Sequence, residues 1–347
     1  MKKILLTGNE VMAEAAILAN CYFYAGYPIT PQNELINYLA KRMREESRVF
    51  IQAESELAAI NMVMGASSLG FRAMTSSSSP GISLKQEGIS YMAGCQLPAV
   101  IINVARGGPG LGNIASSQSD YFQATRGGGH GDYFTIVLAP YSVQEAFNFV
   151  MLAFDLADYY RNPVIVLSDA IIAQMAEPVV FFKKSSFNKK IPSKNWALGK
   201  EDGVKRVVKS FFLREGELEK HNNLLKKKWD KIRKNEQRFD TYRLDGAEYL
   251  IISYGSQARI SKEAVDILRE KNIKVGLFRP ISLWPFPEKF LKNISKRIKK
   301  FLVVEQSLGQ MVEDVKLALQ KDDIYFLGKA GGGIPMASEI INFIKRI

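Results

Sequence analysis

Thr30, Glu56, the serines at 76–79 and Arg106 are the residues of this chain whose types and settings suit chemistry on a small acid. Thr30 lies within Ala25-Gly26-Tyr27-Pro28-Ile29-Thr30-Pro31-Gln32. Proline fixes φ and biases the residue before it toward extended backbone, so the Thr30 hydroxyl sits on a stiff turn. Alone, the same turn reads equally as a helix entry capped by Thr30. Glu56 opens an alanine-rich helical stretch, and Glu54 stands just before it. A carboxylate there is either stabilised by the helix N-terminus or placed for proton transfer. Thr75-Ser76-Ser77-Ser78-Ser79-Pro80-Gly81 reads as a hydroxyl-rich turn that mainly caps a helix, with one or two hydroxyls near a ligand. Arg106 precedes the loop Gly107-Gly108-Pro109-Gly110-Leu111-Gly112. Its planar, permanently charged fork suits a carboxylate, and a surface salt bridge is the alternative. The loop's glycines are able to offer backbone N–H groups to phosphate, but they match neither G-x-G-x-x-G nor the P-loop.

The elements around these residues place them together. Short apolar runs at 22–25, 48–52, 71–75, 99–104, 134–138 and 163–167 read as strands. Amphipathic stretches at 9–19, 32–44, 56–68, 84–93 and 143–157 read as helices between them. Continuous Val/Ile-rich strands alternating with helices predict a doubly wound parallel sheet buried on both faces. In such sheets ligands bind beyond the carboxyl ends of the strands. Thr30, Glu56, the serines at 76–79 and Arg106 each follow a strand, so all are expected at one edge.

The rhythm breaks over 181–245, where a long helix at about 217–237 is expected on the outside of the body. It restarts over 246–347, with strands at 249–254, 275–278, 301–305 and 324–327. Helices are expected from 255 to about 270 and near 287–300, 310–320 and 337–344. The organisation read is therefore an α/β domain over 1–180, a basic helical connector and a second, smaller α/β domain. The first ten residues read as a strand or an entry into a helix, with an apolar run too short for a signal peptide.

The chain has 347 residues, 47% of them hydrophobic, and a net charge of +12. No apolar run is long enough to cross a membrane as a helix. Cys21 and Cys95 are the only cysteines. They read as buried thiols in a reducing, cytoplasmic setting, and two thiolates are too few for an iron–sulfur cluster. His130 and His221 are the only histidines, which excludes a histidine-rich metal site. His130, in Gly127-Gly128-Gly129-His130-Gly131-Asp132, reads as a loop residue satisfied by backbone. Residues 181–240 hold 18 Lys/Arg against 8 Asp/Glu, which is most of the net charge. The basic residues alternate with acidic ones, and the interleaved aromatics of single-strand binding surfaces are lacking, so a solvated helix is read over a nucleic-acid surface.

The Thr30 turn, Ala53-Glu54-Ser55-Glu56-Leu57-Ala58-Ala59 and Val104-Ala105-Arg106-Gly107-Gly108-Pro109-Gly110 together resemble the pyrimidine-binding (alpha-type) subunit of the thiamine-diphosphate-dependent 2-oxoacid:ferredoxin oxidoreductases. Further along, Phe278-Arg279-Pro280 and Val303-Val304-Glu305-Gln306-Ser307 resemble the third domain of transketolase-type enzymes. The resemblance covers nearly the whole chain, the connector least. It implies two doubly wound parallel-sheet domains, a pyrimidine-binding one and a transketolase C-terminal-like one. It implies that Glu56, with Glu54 as the alternative, hydrogen-bonds the aminopyrimidine of thiamine diphosphate and so promotes loss of the thiazolium C2 proton. Tyr27, Pro28, Ile29 and Ser78 would line the cofactor, and Thr30 and Arg106 would hold the keto group and carboxylate of a 2-oxoacid. Gln118-Ser119-Asp120 resembles a motif of the family without an assigned chemistry. The loop Gly328-Lys329-Ala330-Gly331-Gly332-Gly333-Ile334-Pro335 reads equally as an anion contact or a subunit contact.

The diphosphate-and-magnesium motif of thiamine enzymes, Gly-Asp-Gly with a later asparagine, is not in the sequence. The resemblance therefore implies half an active site. A thiamine-diphosphate/Mg-binding subunit, a gamma-type subunit and a ferredoxin-like subunit would complete the enzyme, with magnesium and the iron–sulfur clusters on those partners. The reaction implied is oxidative decarboxylation of a 2-oxoacid to an acyl-CoA with electrons to ferredoxin, a reaction of anaerobic metabolism. The loop at 107–114 is most similar to the branched-chain branch, which acts on 3-methyl-2-oxobutanoate. It lacks a second cation for the distal carboxylate of 2-oxoglutarate. The alternatives are a self-contained transketolase-like thiamine enzyme and a non-catalytic nucleotide- or RNA-binding α/β protein.

Overall fold

In the computed structural model, residues 3–200 and 202–347 are described. The chain enters through strand β1 (Ile4–Thr7) and helix α1 (Gly8–Leu18), joined by a reciprocal cap in which Thr7 and Glu10 satisfy each other's backbone N–H. The first ten residues are thus a strand and then a helix, apart from Met1 and Lys2, which lie outside the described residues. Then follow β2 (Phe23–Gly26), α2 (Asn33–Glu45), β3 (Val49–Gln52), α3 (Glu56–Ser68), β4 (Ala73–Ser77), α4 (Ser79–Gly94) and β5 (Ala99–Ala105). Next come α5 (Tyr121–Thr125), β6 (Ile136–Leu138), α6 (Val143–Tyr160), β7 (Pro163–Asp169), α7 (Ala170–Gln174) and β8 (Ala176–Val179). Every residue of β5 and β7 is buried, as expected of strands covered on both faces.

The connector holds α8 (Glu217–Asn235), which packs through Leu225, Trp229 and Ile232, and β9 (Phe239–Tyr242). Trp229 donates to Asn162 Oδ1 at 3.3 Å and stands edge-on to Phe134. Burying such side chains stabilises by roughly 1.5–3 kcal/mol each. Beyond lie β10 (Tyr249–Ile252), α9 (Gly255–Glu270), β11 (Val275–Pro280), β12 (Ser282–Trp284) and α10 (Glu288–Ser295). The chain ends with β13 (Lys300–Glu305), α11 (Met311–Leu319), β14 (Tyr325–Gly328) and α12 (Ala337–Arg346).

A seven-stranded sheet runs β12-β6-β7-β5-β4-β2-β3 and a five-stranded sheet runs β14-β13-β10-β11-β9. Within each, all pairs are parallel except the edge strands β12 and β9. This is the doubly wound architecture expected. The strand order reverses between β2 and β4: β3 lies outward of β2, whereas β5 and β7 lie beyond β4. Ligands bind at such a reversal.

Several edges differ from the expectations. The helix expected over 84–93 begins at Ser79, because Pro80 occupies its first turn and is tolerated there. The helix expected over 287–300 stops at Ser295, residues 296–299 form a turn, and Lys300 begins β13. Strands β8, β9 and β12 were not anticipated. Each has four residues or fewer and lies at an edge, where periodicity carries little signal. The β12 strand, from the second half of the sequence, completes the first sheet by pairing with β6. The β9 strand, from the connector, completes the second by pairing with β11.

Candidate active site

The turn after β2 is held from two sides. Asn9 in α1, fully buried, donates to the Pro31 carbonyl at 2.8 Å and to Glu34 Oε2 at 2.9 Å. Gln32, also fully buried, accepts from Ser76 Oγ at 2.6 Å and donates to the Tyr27 carbonyl at 3.3 Å. Ser76 also pairs with the Tyr24 hydroxyl at 2.7 Å, so the reversal between β2 and β4 is closed by buried polar groups. Thr30 does not cap α2. Gln32 is at the N-cap, and the Thr30 hydroxyl accepts from Asn33 Nδ2 at 3.3 Å. Tyr27 and Pro28 are exposed; Ile29 and Thr30 are half-buried.

Glu56 is the first residue of α3, capped by the Ser55 side chain accepting from Ala58 N. Glu56 is 5% exposed, and Glu54 is exposed. The Glu56 carboxylate accepts one long hydrogen bond, from Ser77 Oγ at 3.4 Å. Gly81 lies against it: a Cβ there would stand 2.4 Å from Glu56 Oε1 and 2.0 Å from Ser77 Oγ. Helix α4 therefore approaches the carboxylate as closely as it does only because residue 81 has no side chain.

The serines do not mainly cap α4. Ser78 stands at the N-cap but makes no cap bond, and its buried Oγ has no protein partner. Ser79 Oγ accepts from the Arg106 backbone N–H at 3.0 Å and donates to Asp120 Oδ2 at 2.6 Å. Asn103 donates to the same oxygen at 2.8 Å. Burial pushes the Asp120 carboxyl above its ordinary range, against the Ser79 and Asn103 bonds and the Arg106 charge.

Arg106 is buried and, among the described residues, bridges no carboxylate, so it is not a surface salt-bridge residue. Its Nη1 donates to the Thr30 carbonyl at 2.8 Å and its Nη2 to the Leu111 carbonyl at 3.2 Å, while Nε has no partner. One guanidinium thus ties the loop after β5 to the turn after β2. Gly112 closes the glycine loop at φ +62°, and a Cβ there would fall 1.7 Å from the Gly107 carbonyl oxygen. Beside it a cleft of about 440 Å³ opens between Ser79, Asp120, Gln123 and the glycine loop on one side and Leu308, Gln310 and Ala330 on the other.

The second half of the chain is locked to this edge. Gln118 donates to the Tyr254 carbonyl at 2.8 Å and accepts from the Gln306 N–H at 3.0 Å, and Ser116 bonds Gln306 Oε1 at 2.8 Å. Glu305 caps α11, accepting from the N–H groups of Gln310, Met311 and Val312, and burial pushes its carboxyl up. Arg279 makes a two-pronged bond to Glu145, both at 2.8 Å, under the Tyr141 ring. The glycine loop before α12 contacts the site loop through Asn113 Nδ2 and the Gly331 carbonyl at 2.9 Å. The His130 ring is exposed and edge-on to Tyr91, and it is the backbone carbonyl of His130 that is bonded, by Ser90. Cys21 is buried, its thiol pushed up to about 12 by burial, whereas Cys95 is half-buried.

The structure thus gathers Thr30, Glu56, Ser77, Ser78 and Arg106 at one edge of one sheet. Sequence reasoning missed Gln32, Tyr24 and Asn103, which carry no motif, and gave Asp120 no task. It missed Gly81 as well, although Pro80-Gly81 directly after a strand is a signal for close approach.

Residues 14–216 match the family model described as pyruvate flavodoxin/ferredoxin oxidoreductase, thiamine diphosphate-binding. Residues 247–340 match pyruvate:ferredoxin oxidoreductase core domain II. The chain is 46% identical to the ketoisovalerate oxidoreductase subunit VorB of Methanothermobacter marburgensis, over 99% of this chain and 97% of that one. It is 37% identical to the 2-oxoglutarate synthase subunit KorA of Methanothermobacter thermautotrophicus, over 100% of this chain and 99% of the other. Among solved structures it resembles a 2-oxoglutarate:ferredoxin oxidoreductase from Magnetococcus marinus with 2-oxoglutarate, coenzyme A and succinyl-CoA bound. The TM-score is 0.86 at 26% identity, covering 99% of this chain and 65% of that one. A family model that spans more than half of the residues, and relatives that align end to end, lead to one conclusion: this chain belongs to the 2-oxoacid:ferredoxin oxidoreductase family, as a subunit that carries its thiamine-diphosphate-binding domain.

Proposed function

We propose that this chain supplies the pyrimidine side of a thiamine-diphosphate site whose diphosphate and magnesium are held by a partner subunit. Glu56 carries the reading. It is buried at the start of α3, its carboxylate has one long bond, and the unpartnered Ser78 Oγ and Arg106 Nε lie in the same set of strand-end residues. Such under-satisfied buried groups fit a ligand that brings its own donors and acceptors. Bound there, the cofactor supplies the carbanion chemistry of decarboxylation. The Glu56 carboxylate would accept a hydrogen bond from the ring nitrogen of the pyrimidine and so hold a proton on that nitrogen. Tyr27, Pro28, Ile29 and Ser78 line that ring. Arg106 takes the substrate carboxylate through its fork, and Thr30 orients the keto oxygen.

The substrate proposed is a branched-chain 2-oxoacid, converted to its acyl-CoA with electrons passed to ferredoxin. It is supported by the 46% identity to the ketoisovalerate subunit against 37% to the 2-oxoglutarate subunit. The Leu111 and Ile114 side chains on the site loop add no cation for a distal carboxylate. The proposed assembly adds a thiamine-diphosphate/Mg-binding subunit, a gamma-type subunit and a ferredoxin-like subunit with the iron–sulfur clusters, in the cytoplasm. Among the described residues no helix is long and apolar enough to cross a membrane. The proposed organisation remains 1–180, 181–245 and 246–347, with β12 of the third segment joining the first sheet and β9 of the connector joining the second.

Native isolation followed by turnover assays tests the proposal. The complex should contain thiamine and iron and prefer 3-methyl-2-oxobutanoate over 2-oxoglutarate. The chain alone should hold no iron and turn over neither acid. Turnover by the isolated chain with thiamine diphosphate and magnesium would overturn the half-site reading.

A further inference from the structure

Lys85 is fully buried in α4, and no step proposed above uses it. Among the described residues its ammonium makes a single hydrogen bond, 3.4 Å long, and the acceptor is the Glu56 backbone carbonyl. Burying a charge with so few partners is unfavourable, and an apolar side chain of the same length would fill the space without that cost. Lys85 lies one helical turn beyond Gly81, the residue whose missing side chain admits the Glu56 carboxylate. Helix α4 therefore presents two residues on one face to Glu56: one makes room for its carboxylate, the other brings a cation to its backbone carbonyl.

We propose that Lys85 is a positioning residue for Glu56: its ammonium anchors the first turn of α3 through the Glu56 carbonyl and sets a buried positive charge in the neighbourhood of the carboxylate. The inference rests on Glu56 being the pyrimidine-facing acid.

The charges around Lys85 support the pairing. Glu56 on α3 is the group whose field acts on it. Glu87, on α4 itself, is exposed and bonded by Tyr91. Of the strands packed on α4, β5 has no ionisable residue, and in β7 Asp169 is occupied by the Ile172 and Ser256 N–H groups. Burial pushes the Lys85 ammonium down to about 8 from its ordinary 10.5, against the pull of Glu56. The unfolded chain then binds more protons than the folded one between those values. Stability contributed by Lys85 is fully present above about 10.5 and is lost as the pH falls through about 8.

The experiment uses the full chain labelled with ¹³C at the glutamate side-chain carboxyl. The Glu56 signal is assigned by its absence in Glu56→Gln, and its titration is followed in wild type, Lys85→Met and Lys85→Gln. Loss of a nearby opposite charge should raise the Glu56 midpoint by about 1 pH unit or more in both variants. Both should also lose the rise in stability between about 8 and 10.5, read from denaturant midpoints against pH. An unmoved Glu56 midpoint overturns the proposal. So does recovery of the wild-type midpoint in Lys85→Gln, which would leave the hydrogen bond and not the charge as the useful feature. If neither variant folds, Lys85 is a structural residue and the proposal fails. The titration is independent of the cofactor. A shifted midpoint together with normal cofactor activation in Glu56→Gln would keep the Lys85–Glu56 pairing and remove the catalytic reading of Glu56.

Discussion

Gly81 and Glu56 are in such close apposition that a methyl group on residue 81 would stand 2.4 Å from Glu56 Oε1. Both atoms that such a methyl meets first, Ser77 Oγ and Glu56 Oε1, are side-chain atoms able to move aside. Gly81→Ala should therefore leave the fold intact and displace the carboxylate. Misplacement of a catalytic group by about 1 Å costs roughly 10²-fold. We expect a loss of that order in kcat of the assembled complex, with the melting temperature nearly unchanged. A wild-type kcat would mean that the site tolerates a displaced Glu56.

Glu56→Gln and Glu54→Gln separate the two candidate acids. Glu56 is buried and Glu54 is exposed, so only the first change should slow C2–H exchange of bound thiamine diphosphate. A positioned acid–base group is worth roughly 10²–10⁴-fold. Proton NMR after acid quench reads the exchange directly. The opposite pattern would transfer the role to Glu54.

Arg106→Leu should raise the KM for the 2-oxoacid and leave thiamine diphosphate affinity nearly unchanged. Truncating one side of a buried charge pair costs about 2–5 kcal/mol. The variant also removes the bonds to the Thr30 and Leu111 carbonyls, so Arg106→Lys is the needed control. Lysine keeps the charge but not the fork, and it should recover only part of the affinity. An unchanged KM in both variants would place the carboxylate contact elsewhere.

The Arg279–Glu145 pair joins the two halves of the chain beneath Tyr141. Arg279→Met leaves Glu145 without its partner, and breaking a buried pair costs roughly 3–5 kcal/mol. Arg279→Met combined with Glu145→Leu should recover most of that loss, because the one carboxylate then left without Arg279 is Asp240, which is exposed to water. Denaturant unfolding of the three proteins measures both effects. Equal stability of the single variant and wild type would show that solvent screens the pair.

Periodicity and strand-end position made much of this protein legible in its sequence. The runs at 99–104 and 163–167 are Val/Ile-rich because both faces of β5 and β7 are covered, and that pattern is local. The residues after successive parallel strands must fall at one edge, so the sequence alone associates Thr30, Glu56 and Arg106. The short edge strands β9 and β12 were invisible, because their pairing is decided by partners distant in the chain. Whether Ser78 caps or stays unpartnered, and whether Arg106 meets solvent or the Thr30 carbonyl, depends on how loops from different strands pack. The same holds for Glu54 and Glu56. As sequence they are near-equal carboxylates beside one helix start, and only tertiary packing, with α4 brought in at Gly81 and Lys85, buries one and leaves the other in water.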